Sequence, residues 1–297
     1  MAVDYDPSEV KIENTNPIAA SSRGQGAKAI ACCADDYAEH PAIDEAIIQL
    51  LNSRRLSAVS ALTESPAWPQ QARPLKQAAA DVADIGLHLN LTHRFAGSAM
   101  AEMTPRSLAA TIARAYTDAL DRGALRATIA RQLDRFEDGF GAPPDYVDGH
   151  QHVHQLPVVR RLLLDELTRR YPRARLWLRI TRPPPGEHAL KARIVYLLGG
   201  AALVRAAKRA DVGVNAAFAG VYAFDLDGQA WTQALRAWVA QLPNGGLLVC
   251  HPARALVPGD AIAAARLREF KALQSGALES ALAAAGARLA RISKIAL

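Results

Sequence analysis

From Lys28 onward, short runs rich in Val, Ile and Leu alternate with longer stretches whose apolar residues recur every three or four positions. Short apolar runs suit strands, and the longer periodicity suits helices laid against them. Alternation of the two is the pattern of β-α units around a parallel sheet. Strands are expected at 29–34, 58–62, 85–91, 146–148, 176–180, 212–214, 246–250 and 288–292. Helical patterns fall at 42–53, 105–139, 157–171, 189–210, 231–242 and 260–285, the second broken at Asp121-Arg122-Gly123. Roughly 250 residues of such units is the size of a (β/α) barrel. The expectation is therefore an α/β fold in a single domain, a TIM-like barrel with room for distortion, ahead of an open doubly wound sheet.

Composition narrows the setting. With 297 residues, 50% hydrophobic and 22% charged, disorder throughout is excluded. Residues 1–27 carry Asp4, Asp6, Glu9, Glu13, Asn14 and Asn16 without a basic start and an apolar run. They read as a disordered extension before a domain at 28–297, and not as a secretory signal. The longest apolar candidate, 194–204, runs into Arg205, Lys208 and Arg209 and is too short to span a bilayer. Three cysteines, two of them adjacent as Cys32 and Cys33, form neither a disulfide framework nor a C-x-x-C knuckle, so a reducing compartment, the cytoplasm, is expected.

In either architecture catalytic groups gather at the carboxyl ends of strands. The first strand ends in Asp35 and Asp36, adjacent carboxylates that point different ways if the backbone stays extended. One then suits metal binding and the other base catalysis; an acidic N-cap for the helix near Pro41 explains them equally well. His88, between Leu87 and Leu89, lies on the face opposite to both, which in a barrel is the interior. A buried core histidine is the plainer account of it taken alone. Asp148 stands two residues before His150, with His152 and His154 following at alternate positions, so in extended geometry the three histidines share one face. Imidazoles beside a carboxylate are a metal-ligand pattern. His251 sits where an apolar strand stops before Pro252, a place suited to a proton donor or to an ordinary turn. A barrel would bring Asp35, Asp36, His88, His150 and His251 to one mouth, with one Asp and two His forming a three-ligand site open to water.

These residues, in this order, resemble the YdjC-like carbohydrate deacetylases, which include the ChbG-type chitooligosaccharide deacetylases and the HpnK-type proteins. The resemblance covers nearly everything after Lys28. It rests on Ala34-Asp35-Asp36-Tyr37, Leu56-Ser57-Ala58-Val59-Ser60, Gly86-Leu87-His88-Leu89-Asn90-Leu91-Thr92, the stretch from Asp148 to His154, Arg179, Phe218-Ala219-Gly220 and His251-Pro252. It implies a (β/α)-barrel hydrolase that removes acetyl from an N-acetylated sugar with one divalent metal ion. By the match Asp36, His88 and His150 are the ligands, Asp35 the general base and His251 the acid that protonates the leaving amine. Arg179 would steady Asp35 or contact substrate, and Asp148, His152 and His154 would stand behind the ligands or meet the substrate. The chain departs from the family at Ala38-Glu39-His40 and at Thr92-His93-Arg94-Phe95, so Glu39 and His93 are expected to meet a substrate other than a small oligosaccharide. A two-His, one-Asp site suits Zn2+ and also accepts Mg2+, Mn2+, Co2+ or Ni2+.

The net charge of +6 is not evenly spread: between Val159 and Arg209 stand thirteen basic residues against three acidic ones. In 190–210 these alternate with Ile194, Leu197, Leu198 and Leu203, as in an interfacial helix or in a barrel helix with a basic outer face. Nucleic-acid binding is excluded by the lack of recognition motifs and interleaved aromatics. The expected partners are an N-acetylated sugar, including lipid- or nucleotide-linked precursors, an anionic membrane touched peripherally, and a second copy of the chain in a homodimer. Two other classes use the same residues: a metal-dependent phosphoesterase, and a metal- or sugar-binding protein without turnover.

Overall fold

The central strand is β1 (Lys28–Tyr37), whose residues alternate between two apolar environments. Ile30, Cys32 and Ala34 pack against the helices, whereas Ala31 and Cys33 face a smaller cluster with Tyr146, Trp177, Phe218 and Val249. A computed structural model of the protein describes residues 27–95, 107–172, 176–186 and 189–295. The expected disordered extension at 1–27 lies outside these apart from Ala27.

Eight further short strands join β1: β2 (Ala58–Ala61), β3 (Asp84–Leu89), β4 (Tyr146–Gly149), β5 (Trp177–Leu178), β6 (Gly213–Val214), β7 (Phe218–Ala219), β8 (Gly246–Cys250) and β9 (Ala287–Leu289). Every pairing is parallel, in the order β6-β5-β4-β3-β2-β1-β8-β7, with β9 also on β1. The helices are α1 (Pro41–Asn52), α2 (Trp68–Ala79), α3 (Leu108–Tyr116), α4 (Arg122–Phe140), α5 (Val159–Arg170), α6 (Leu190–Val195), α7 (Ala201–Arg209), α8 (Gly228–Gln241), α9 (Ala263–Gln274) and α10 (Ala277–Ala284). They cover the outer face of the curved sheet. The barrel expected from the sequence is present as a half-barrel, because β6 and β7 do not pair. Asn215 stitches that seam by accepting from Ile180 N at 2.7 Å and donating to Ile180 O and Ala217 O, while Phe218 N donates to Arg182 O.

Four local expectations change. α2 was not expected, since Pro69 and Pro74 obscure its periodicity. The single strand at 212–214 is followed by a second two-residue strand, β7, after Asn215. The helix at 189–210 is interrupted by a π turn, Tyr196–Gly200, and the helix at 260–285 breaks at Gly276, whose φ of 88° is left-handed. At the amino ends of the strands Asp84 closes the inner cluster, accepting from Arg291, from Ser293 and from the Trp177 indole.

Candidate active site

Above Asp84, the inward-facing positions of successive strands turn from apolar to polar toward their carboxyl ends. Cys33 gives way to Asp35 on β1, Ala58 to Ser60 on β2, Gly86 to His88 on β3, Tyr146 to Asp148 on β4, Trp177 to Arg179 beyond β5, and Val249 to His251 beyond β8. Period-two alternation thus delivers one polar layer above an apolar plug.

Asp36 should point away from this layer, and it does not. Between Ala34 and Tyr37 β1 advances three residues while β2 advances two, a bulge at which Asp36 takes a φ of 69°. Aspartate is among the few non-glycine residues that adopt this region readily. The bulge turns Asp36 into the same cavity as Asp35, which corrects the expectation that extended backbone would separate them. Nor does either cap α1: His40 does so, its Nδ1 accepting from Ala42 N at 3.1 Å.

The three histidines after β4 do not share a face. His150–Gln155 winds into a 3-10 turn in which Gln151 and His152 have φ of 53° and 60°. His150 therefore faces Asp36, His152 lies on the cavity wall edge-on to Phe218, and His154 is buried elsewhere, its Nε2 bonded to Arg179 O at 2.9 Å. Burial holds the His152 pKa well below its usual value and lowers that of His154 to about 4, so both are neutral imidazoles.

Asp36 Oδ1 stands 3.0 Å from His150 Nδ1 and 3.4 Å from His88 Nε2. His88 Nδ1 lies 2.6 Å from Asp148 Oδ1, so the carboxylate fixes the ring with Nε2 toward the cavity. One atom of each of Asp36, His88 and His150 falls within 4.8 Å of the others. Ligands at about 2.0–2.2 Å around a tetrahedral ion stand roughly 3.3–3.6 Å apart. The 3.4 Å pair has that spacing, and the 3.0 Å pair, here a hydrogen bond, would open by a few tenths of an ångström to reach it.

Charge supports the same fit. Five carboxylates, Asp35, Asp36, Glu39, Asp148 and Asp260, are paired with only two guanidinium groups, Arg179 and Arg266. The cluster makes up positive charge by retaining protons. Burial opposes a charged His88, yet Asp148, Asp35 and hydrogen bonds to Asp148 and Asp36 raise it to about 10. Burial first, and then Asp36, lift Glu39 to about 8. A divalent cation held by Asp36, His88 and His150 fits this deficit.

Asp35 is locked by Arg179, whose Nη1 and Nη2 donate to its two oxygens at 2.7 and 2.6 Å. Burial resists its ionisation, but Arg179, His88 and His251 outweigh burial and hold it below the usual carboxylate range. Arg179 Nη2 also meets Asp148, Ser60 and Cys33, so the guanidinium occupies the centre of a second candidate metal group, Cys33, Asp35 and Asp148. Arg179 is fully buried and absent from the cavity wall, with both of its terminal nitrogens bonded to Asp35. His251 Nε2 is 3.9 Å from Asp35 Oδ2, its backbone N–H bonded to Glu269 and its ring edge-on to Phe224. Its Nδ1 is buried without a partner among the described residues.

Above this layer opens a cavity of about 500 Å3. Glu39 and His93 both line it, 3.9 Å apart, with His93 edge-on to His150. Sequence reasoning missed Arg266, from α9, which donates to Asp36 Oδ2 at 2.8 Å and to Glu39 and Asp260. It also missed Tyr222 and Phe224 on the wall. The signal available was an arginine within an otherwise uninformative helix, and two aromatics following Gly220, whose φ of 97° and proximity to Val249 O leave no room for a Cβ.

Comparison with known proteins places this arrangement in context. A chitooligosaccharide deacetylase from Klebsiella pneumoniae subsp. pneumoniae is 26% identical over 264 residues, 86% of this chain and 94% of the relative. One from Yersinia pestis is 28% identical over 210 residues, covering 69% and 75%. A mouse carbohydrate deacetylase is 30% identical over 144 residues, 45% of each chain. A solved structure from Enterococcus faecalis V583, provisionally described as a cellobiose-phosphate cleavage protein, superposes with a TM-score of 0.64 at 20% identity over 91% of this chain and 99% of that one, and so shares the fold. Residues 29–284, nearly all of the half-barrel and every polar group described above, match the family described as YdjC-like protein, and the chain belongs to it.

Proposed function

We propose that the chain is a divalent-metal-dependent hydrolase that removes the acetyl group from an N-acetylated sugar, acting in the cytoplasm, where its three free, buried cysteines would stay reduced. The observation that carries this reading is the convergence of Asp36, His88 and His150 beside an ionised, arginine-locked Asp35 on the floor of one cavity. Relatives that align over most of the chain and are described as chitooligosaccharide deacetylases support it.

Asp36, His88 and His150 would hold a divalent cation, which would supply Lewis acidity toward water and the amide carbonyl. Asp35 Oδ2, facing the same space, accepts the proton of the attacking water. Asp35 is held ionised by Arg179, the state in which a carboxylate can take a proton. Arg179 holds both carboxylate oxygens of Asp35 and so fixes its direction. His251, across Asp35, delivers a proton to the amide nitrogen as the C–N bond breaks, giving acetate and the free amino sugar. Asp148 keeps His88 Nε2 turned to the cavity, and Arg266 does the same for Asp36. Glu39, His93 and His152 line the space left for the sugar.

The test couples metal content to product. Purified wild type is expected to hold close to one divalent ion per chain and to release acetate, not phosphate, from a panel of N-acetylated sugars and phosphoesters. Asp36→Ala and His150→Ala should lose both metal and turnover. His251→Ala should keep the metal and lose on the order of 100- to 10,000-fold in kcat. Full metal and activity in the first two variants would refute the assignment.

A further inference from the structure

The rim of the cavity contains a helical rod with two different apolar faces. Lys191, Val195 and Leu198 line the cavity, whereas Leu190, Ile194 and Leu197 are 71%, 46% and 73% exposed. Spacings of four and three place the exposed trio on one stripe. Large hydrophobic side chains with this exposure number five among the described residues. A fourth, Leu256, lies on the loop that runs into Gly259, Asp260 and Ile262, which line the cavity from another side.

The stripe is held in place. Gln155 Nε2 donates to Val195 O at 2.7 Å, and the π turn brings Gly199, with φ of 139°, so close to Gln155 O that a Cβ there would sit 2.2 Å away. The rod is thus pinned to the turn that carries His150, and its outward face is fixed relative to the site. No helix among the described residues is long and apolar enough to cross a membrane. Charge along this segment of chain has one sign, and Asp225 is the acidic group that faces it, at Lys191. Lys191 and Arg193 stand on the rod, and Arg205, Lys208 and Arg209 on α7 beyond the kink at Gly199, with no acidic residue between Leu190 and Ala210. None of the five is in an ion pair among the described residues. Lys191 turns to the cavity, donating to Tyr222 O, and leaves exposed aliphatic side chains beside Arg193 and the α7 cations, the chemistry of a helix lying in the interface of an anionic membrane. Inside the mouth the adjoining wall is also apolar, formed by Val195 and Leu198 with Ile112, Leu156, Val221 and Ile262.

We propose that Leu190, Ile194 and Leu197 seat the protein on an anionic lipid surface, and that its N-acetylated sugar is carried on a lipid whose chain lies along the Val195–Leu198 wall. The substrate clause rests on the deacetylase reading; the seating does not. Stripe and wall lie on one rod, so a sugar borne on a lipid held at the stripe would stand at the mouth of the cavity.

The test uses the full chain with vesicles of phosphatidylcholine alone and of phosphatidylcholine with about 30% phosphatidylglycerol, at physiological salt. Wild type should co-sediment with the anionic vesicles at least on the order of tenfold more strongly. The double variant L190E/L197E should lose that binding while keeping its melting temperature and its acetate release from soluble N,N′-diacetylchitobiose. For alkyl glycosides of N-acetylglucosamine, KM should fall as the alkyl chain lengthens. Wild-type binding that is absent, or equal on both vesicles, or unchanged in the variant, overturns the seat. A dimer that dissociates in the variant without vesicle binding does the same, since the stripe is then a subunit contact. A KM indifferent to chain length overturns the substrate clause. Vesicle binding lost in the variant, with no acetate from any sugar, supports the seat and refutes the deacetylase reading.

Discussion

Asp36 is oriented from two sides, with His88 and His150 at Oδ1 and Arg266 at Oδ2. A carboxylate so held presents one oxygen to a metal and keeps the other occupied, and loss of such an outer partner typically weakens metal binding about 10- to 100-fold. Arg266→Met is therefore expected to lower metal affinity by that factor, read by competition with a chromogenic chelator. Arg266→Lys should restore part of it, which a merely space-filling role would not predict. At this scale the sequence was legible where chemistry lay next to a strand end: Asp35, Asp36, His88, His150 and His251 each follow or close an apolar run and reach one cavity. It misled where local backbone departed from regularity. The bulge brought Asp36 inward, and left-handed Gln151 and His152 scattered the three histidines. Arg266 was illegible because its partner is 230 positions away.

Between elements, the half-barrel has its weakest join at β6 and β7, where Asn215 replaces a ladder. Its amide satisfies both backbone groups of Ile180, next to Arg179, so truncation leaves buried donors and acceptors unpaired. Asn215→Ala is expected to cost about 2–4 kcal/mol by denaturant unfolding, and to lower kcat in the surviving folded protein by loosening the arginine that locks Asp35. Alternating apolar runs revealed the long strands and most helices. The two-residue strands β5 and β6 lie within the expected runs 176–180 and 212–214, whereas β7, with two residues, is too short to show a period. In α2, Trp68, Ala72, Leu75 and Ala79 do repeat at helical spacing, but Pro74 within the helix argued against it.

For the molecule as a whole, the excess of carboxylates at the strand ends makes stability depend on what fills the site. Anything that binds the folded chain alone stabilises it, by about 2.7 kcal/mol at a hundredfold excess over Kd. Stripping divalent ions with a chelator should thus lower the melting temperature by several degrees, reversed by adding Zn2+ or another divalent ion, and should leave Asp36→Ala unmoved. The seam adds an asymmetry to this picture. Asp36 and His88 stand on β1 and β3, and His150 directly follows β4, all interior strands with a neighbour on each side. The rod at Leu190–Gly200 and the aromatic wall at Tyr222 and Phe224 follow β5 and β7, on either side of the unpaired edge. The cavity is built like a vise with unequal jaws: the strands that carry Asp36, His88 and His150 are laddered on both sides, and the wall opposite hangs from the seam, so substitutions in that wall would leave the three side chains where they are.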